Sequence, residues 1–448
     1  MGSMTSKNAI RDLVKDQLLP AYWKQRRDID FLDCWYRWSP EKVKVHRRAT
    51  AEHRTLRDMG ETPWLWLTVK TTAQGLFAET VNGRDEHATA RFVDVFRRNR
   101  WAQRQPMVHR EGIAYGQSFV QVLPGDPVSQ WTAKSPRRML AMWRDEANDE
   151  YPETTLEVVR SGDQFLYTVM DEGQVYRLSS EGQDGVAYID DEVHGTGVTP
   201  VVRYVNFMDS DGRVVGEVEP YINVARRLNK TEYDRMLIQH FNSWKVRTAT
   251  NLDGDAPSDE ETEKLKMELA QSDILTGGDG VSFGTLDETN LSPILSAREA
   301  DIEILSALTQ TPPNITGRMV NIGAEALAFA NAMYARKLTD LQRSYGESNA
   351  QVLRLSAWQA GNELDAEDWE LATKWADFET QSMSQAVDAL GKAAQMLEVP
   401  KELLWDRIPT VTAQEAEQWR KHADENPSAS HRIADALGRA RGADVAGE

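Results

Sequence analysis

The chain has 448 residues, 40% of them hydrophobic, and 52 Lys and Arg against 70 Asp and Glu leave a net charge of −18. That length supports on the order of two to four domains with real cores, and a mean hydropathy of −0.57 fits a soluble globular class. The longest apolar run, Pro63-Trp64-Leu65-Trp66-Leu67-Thr68-Val69, is far too short to cross a bilayer, so no membrane partner is expected.

One cysteine, Cys34, excludes an intrachain disulfide and any cysteine-based zinc cluster. A free nucleic-acid binder carries a basic excess on at least one face. An acidic surface repels phosphates, which suits a conduit for DNA better than a clamp on it. Met1-Gly2-Ser3-Met4-Thr5-Ser6 fits the myristoylation pattern, but a second methionine after Gly-Ser reads more simply as a cloning scar.

From Lys7 to about Thr50 the pattern is helical and rich in aromatics: Tyr22, Trp23, Phe31, Trp35, Tyr36 and Trp38. Pro63 to Phe77 is an apolar stretch leading into a helix, and Glu86 to Phe96 is helical. A basic knot follows at Arg97, Arg98, Arg100 and Arg104, in the manner of a solvated helix end. Between Gly112 and Phe207 the period becomes two. Tyr115–Leu123, Leu156–Val159, Phe165–Met170, Val175–Leu178 and Val201–Val205 read as short strands, with glycines at the turns.

Glu219-Pro220 opens a long helix, with proline where its missing N–H costs nothing. Tyr221, Ala225, Leu228, Leu237, Phe241 and Trp244 recur at spacings of three and four, and carry it to about Val246. A small unit follows: a strand over Lys245–Thr250, an acidic loop, and a helix from a capping box at Ser258 and Glu261 through Gln271. Ile274-Leu275 and the glycines at 277, 278, 280 and 284 then give strands and tight turns. A second capping box, Ser296 with Glu299, starts a helix that Pro312-Pro313 stop. From Ala324 a very long helix reaches about Gly361, with Leu327, Tyr334, Leu338, Leu341, Tyr345 and Val352 on one stripe. Shorter helices are expected at Gln381–Leu397, Lys401–Arg407 and Ala413–Ala423, before a loosely ordered end.

Signatures of catalysis fail in turn. Gly391-Lys392-Ala393 lacks the rest of a phosphate loop, and Gly116-Gln117-Ser118-Phe119-Val120 lacks the closing glycine of a nucleophile elbow. The eight histidines form no zinc motif, and Asp209-Ser210-Asp211-Gly212 lacks calcium-loop spacing. Asp301 and Glu303, at i and i+2 on a helix, face apart and make a poor metal pair. No catalytic residue, metal or cofactor is expected. The tryptophans read as core or subunit-interface fillers, because they bury a large area while keeping one polar handle.

The order of parts says more than any one motif. Gly112-Ile113-Ala114-Tyr115-Gly116-Gln117-Ser118-Phe119-Val120-Gln121-Val122 lies in the body, and Glu219-Pro220-Tyr221-Ile222-Asn223 through Asn229-Lys230-Thr231 begins the first long helix. Thr311-Pro312-Pro313-Asn314-Ile315-Thr316-Gly317, followed by Gly323-Ala324-Glu325-Ala326-Leu327, is the most specific stretch. Trp375-Ala376-Asp377-Phe378-Glu379 and Gln385-Ala386-Val387-Asp388-Ala389-Leu390 extend it. In this succession, over residues 10 to 425, the chain resembles the portal proteins of tailed bacteriophages, in the siphophage family of Gram-positive hosts.

The resemblance implies an α+β, mainly α subunit with a helical wing and crown, a β-rich wing subdomain, long stem helices and a small α/β clip. It implies the wing at residues 1–217, with its β-rich part at 112–207, and stem helices at 218–246 and 295–310. The clip would occupy 247–294, the tunnel loop 311–323, the long wing helix and its return 324–380, the crown 381–424 and a flexible tail 425–448. The implied assembly is a twelve-fold ring at one capsid vertex of the virion, formed in the host bacterial cytoplasm. Its implied partners are further copies of itself, the terminase large subunit, a head–tail adaptor, the major capsid protein and scaffold, and double-stranded DNA passing non-specifically. A structural oligomer of helical hairpins unrelated to DNA, and a capsid-associated nuclease, are the alternatives.

Within the tunnel loop, Pro312 and Pro313 end the preceding helix, and Gly317 and Gly323 give the backbone freedom to project. Asn314, Thr316, Arg318, Met319, Val320, Asn321 and Ile322 would line the channel, with Arg318 touching phosphates. An acidic chain must place opposite charges at contacts to self-associate, so Arg97, Arg98, Arg100, Arg226 and Arg227, with Trp244, are candidates for the subunit interface.

Overall fold

The computed structural model describes residues 7–45, 50–181, 185–242, 247–250, 282–285, 289–312, 324–376, 383–397, 399–408, 411 and 413–426. A helical run opens it: α1 (Lys7–Leu13), a π-helical turn (Val14–Leu18) and α2 (Leu19–Tyr36). Ile10, Val14, Leu18 and Tyr22 recur every four residues, and this stripe is buried. The run stops at Tyr36, well short of Thr50. Trp38 takes φ +48°, and Pro40 disfavours helical backbone at Ser39.

Next come α3 (Ala51–Met59), α4 (Trp64–Gln74), β1 (Ala78–Asn82), α5 (Glu86–Arg98) and α6 (Trp101–Tyr115). Asp85 caps α5 by accepting the Ala88 N–H at 2.7 Å. Gly116 ends α6 at φ +98°, a conformation that costs glycine little. The chain then enters β2 (Gln117–Leu123), β3 (Gln130–Lys134) and β4 (Met139–Met142). β5 (Thr154–Ser161), β6 (Gln164–Met170), β7 (Gln174–Glu181), β8 (Gly185–Val193) and β9 (Val201–Val205) complete the β-rich block.

Two antiparallel sheets result. One has the order β3-β2-β9, with Val120 opposite both Ala133 and Val202. The other is the meander β4-β5-β6-β7-β8, whose Leu156, Val158, Tyr167, Val169, Tyr176 and Leu178 receive the stripe of α1 and α2. The open edge at β4 is covered by α2, since Gln25 donates to the Pro136 and Met139 carbonyls and Tyr22 to that of Arg137.

A 3₁₀ turn (Glu219–Tyr221) leads into α7 (Ile222–Asn242), followed by β10 (Arg247–Thr250) paired with β11 (Ser282–Thr285). Then come α8 (Ser292–Leu308), α9 (Ala324–Gln359), α10 (Glu363–Ala366) and β12 (Ala372–Trp375), which pairs with β1. α11 (Met383–Met396) and α12 (Ala413–Glu425) close the fold. Two sequence expectations need correcting. α8 begins at Ser292 rather than at the Ser296 capping box, because Pro293 is tolerated in the first turn and Asn290 accepts the Ser292 N–H at 2.9 Å. Residues 401–407 form two 3₁₀ turns, Lys401–Leu403 and Trp405–Arg407, in place of one helix.

The main core is built where α9, about 54 Å long, crosses α4, α6 and the β3-β2-β9 sheet. Leu338, Leu341, Tyr345 and Val352 face inward on it, as the stripe requires. A Cβ at Gly75 would lie 2.6 Å from Leu338, so this glycine lets α9 approach the end of α4. Trp35, Trp64, Trp101 and Trp131 are core residues, whereas Trp38, Trp358 and Trp369 stand on the surface. The fold is α+β and mainly helical.

Candidate channel site

The route to the site begins at a close backbone crossing. A Cβ at Gly216 would lie 2.4 Å from the Ala114 carbonyl, so only glycine lets the chain pass the end of α6 there. The next residue, Glu217, donates its N–H to Ile113 O at 2.7 Å and then delivers the chain to α7.

α7 and α8 form an antiparallel hairpin, with residues 221, 227, 232 and 242 facing 308, 301, 298 and 289. Tyr221 donates to Leu308 O at 3.0 Å, and Arg227 meets Asp301 at 2.7 Å. Glu232 receives Arg298 at 2.9 Å and Arg235 at 2.5 Å. Burial works against the Glu232 carboxylate, but these two guanidinium groups outweigh it and hold its pKa low. Asn242 and Thr289 exchange two hydrogen bonds, of 2.8 and 3.2 Å, at the far end. The first half of α7 leans on the body: Asn229 accepts the Thr62 N–H at 3.2 Å, and Arg226 lies 3.4 Å from Glu41 and over the Trp35 ring.

The near end of the hairpin is anchored by charge. α8 stops in a left-handed turn, with Gln310 at φ +53°, Thr311 N–H on Ser306 O at 3.0 Å and Gln310 N–H on Ala307 O at 3.3 Å. Lys337, from α9, donates to Thr309 O at 2.8 Å and to Glu217 at 2.6 Å. Both charged side chains are only 9% exposed. Burial pushes the Glu217 carboxyl up and the Lys337 ammonium down, and each is opposed by the partner's charge.

The family model of the phage portal protein, SPP1 Gp6-like, matches residues 15–428. The chain belongs to this portal family. Among solved structures, a chain of the "Virion of native gene transfer agent (GTA) particle" is 14% identical, with a TM-score of 0.47. The match covers 84% of this chain and 99% of that one. A chain of the "Neck of native GTA particle computed with C12 symmetry" is likewise 14% identical, with a TM-score of 0.46 and coverage of 80% and 96%. A comparison with curated proteins finds no match.

In this portal protein, residues 313–323, which include Asn314, Thr316, Arg318, Met319, Val320, Asn321 and Ile322, lie outside the described residues, as do Trp244 and most of the segment 247–294. Of the interface candidates, Arg98 pairs with Asp94 at 2.7 Å on its own helix, Arg97 lies near Glu417, and Arg100 is the left-handed residue capping α6. Arg226 and Arg227 are engaged with Glu41 and Asp301 as above. No three His, Cys, Asp or Glu gather into a metal site among the described residues, and none of their helices is long and apolar enough to cross a membrane. Sequence reasoning passed over Glu217 and Lys337. A signal was present: Lys337 interrupts the apolar stripe between Tyr334 and Leu341, where a charge requires a buried partner.

Proposed function

We propose that this portal protein assembles as a twelve-fold ring at one capsid vertex, through which the terminase drives DNA during packaging. The same channel retains the genome and releases it through a head–tail adaptor. The observation that supports this reading most is the portal-family match over residues 15–428. The antiparallel α7–α8 hairpin, with the short β10–β11 ladder between its helices in sequence, is compatible with a stem and the base of a clip.

On this reading residues 1–217 are the wing, 218–246 and 295–310 the stem, 247–294 the clip, 311–323 the tunnel loop and 381–424 the crown. The ring would contact the major capsid protein and scaffold around its rim, and the terminase large subunit and adaptor at the clip. Its role is structural: the protein holds a passage while the motor does the chemistry. Electron micrographs of the purified protein are expected to show rings with a central hole. Compact monomers at micromolar concentration would overturn the reading.

A further inference from the structure

Three segments distant in sequence meet at one buried charge contact. Glu217 stands five residues before α7, Thr309 follows α8 directly, and Lys337 lies on the inward stripe of α9. The ammonium has three protons to donate, and two are used on Glu217 and Thr309 O. A cation at the C-terminus of α8 also meets the negative end of its dipole and satisfies a terminal carbonyl. Behind the contact stands α4. Thr72 reaches Glu217, and Tyr334, one turn before Lys337, donates to Thr71 O at 2.8 Å. In front of it, Tyr221 ties the start of the hairpin to Leu308.

A buried ion pair is a poor device for stability alone, because desolvating both charges costs nearly what their attraction returns. What it does supply is geometry. Lys337 can reach Glu217 and Thr309 together only when the start of α7 and the end of α8 are both seated against α9.

We propose that Glu217 and Lys337 form a clamp that locks the near end of the α7–α8 stem, where α7 begins and α8 ends, to the long helix α9, so that a displacement of the stem is passed to the wing. They are positioning residues, and the inference rests on the reading of α7 and α8 as the stem of a DNA channel. Apolar packing at the same place would hold the helices together without a directional contact tying Glu217 and Thr309 to one point on α9.

The test separates stability from transmission. Lys337→Met alone strands a buried carboxylate and is expected to lower the melting temperature of the ring. The double variant Glu217→Leu, Lys337→Met removes both charges in similar volume and is expected to restore melting and ring yield. It should still cut the yield of DNA-filled particles by about tenfold, the range of coupling carried by a two-state contact. Lys337→Arg, which keeps charge and donors, should package within about twofold of the wild type. Glu217→Gln, which keeps an acceptor for Lys337 but removes the carboxylate, guards against a double variant that does not fold. It should show a smaller packaging loss in intact rings. Normal packaging by either the folded double variant or Glu217→Gln would overturn the clamp. The wild-type protein in the same assay tests the channel reading by itself, because its failure to give filled particles would sink that reading whatever the variants do.

Discussion

His109 shows how one residue ties the body to solution conditions. It is fully buried, with Nδ1 2.9 Å from Leu76 O and its ring 5.0 Å from that of Tyr345. Burial lowers its pKa from 6.5 to about 4, against the opposing pull of the Leu76 carbonyl. The unfolded chain therefore takes up a proton below about pH 6.5 that the folded chain refuses. Stability should fall as the pH drops from about 6.5 towards 4, by at most about 1.4 kcal/mol per unit from this group. Denaturant titrations at several pH values should show that slope in the wild type and a shallower one in His109→Gln. An equal slope in both would remove His109 as the cause. On the proposed channel loop, Arg318→Glu should spare ring assembly yet alter the packaged length or the retention of DNA, because it replaces a phosphate contact by repulsion. Unchanged length and retention in Arg318→Glu particles would take the loop out of the DNA path.

At the scale of elements, the end of α8 is a place where sequence and geometry disagree. Gln310 occupies a left-handed position that favours glycine, at a cost of about 1 kcal/mol, and its side chain is exposed. Gln310→Gly relieves that strain but adds freedom to the unfolded chain, so a net gain of about 0.5 kcal/mol is expected in thermal unfolding. A lower melting temperature would mean that the Gln310 side chain holds the turn. The same region shows what was legible in the sequence. The long helix α9 was readable because its inward stripe of Leu338, Leu341, Tyr345 and Val352 holds the helical period throughout. β5, β6, β7 and β9 were readable because their apolar residues alternate between glycine-marked turns. β8 was not, since its second half, Ile189-Asp190-Asp191-Glu192, is a polar edge whose acids pair with Arg177 at 3.1 and 2.8 Å. β1 and β12 were missed for a related reason. Each is short, and they are made strands by pairing across about two thirds of the chain, Val81 opposite Thr373. The Glu217–Lys337 contact could be seen only as a charge out of place on a stripe. Its partner, more than a hundred residues away, is set by the crossing at Gly216.

For the molecule as a whole, the decisive quantity is a net charge of −18 on a chain proposed to assemble with copies of itself. In the proposed twelve-fold ring this would sum to on the order of −200, which would give a passing duplex few places to stick and make neighbours repel during assembly. Of the proposed interface residues, Arg98, Arg226 and Arg227 are paired within the chain with Asp94, Glu41 and Asp301, at 2.7, 3.4 and 2.7 Å, so acids of a neighbouring copy would have to compete with these partners. The long-range force between copies is then mainly repulsive, while exposed apolar side chains such as Trp38, Trp358 and Trp369 are available for burial. Salt shortens the reach of that repulsion from about 30 Å at 0.01 M to about 3 Å at 1 M, and leaves apolar burial intact. Ring formation, followed by light scattering after dilution from mild denaturant, should therefore accelerate as salt is raised. Rings that form more slowly at high salt would show that attraction between opposite charges on neighbouring copies drives their encounter, and that the ion pairs within each chain exchange for pairs between chains.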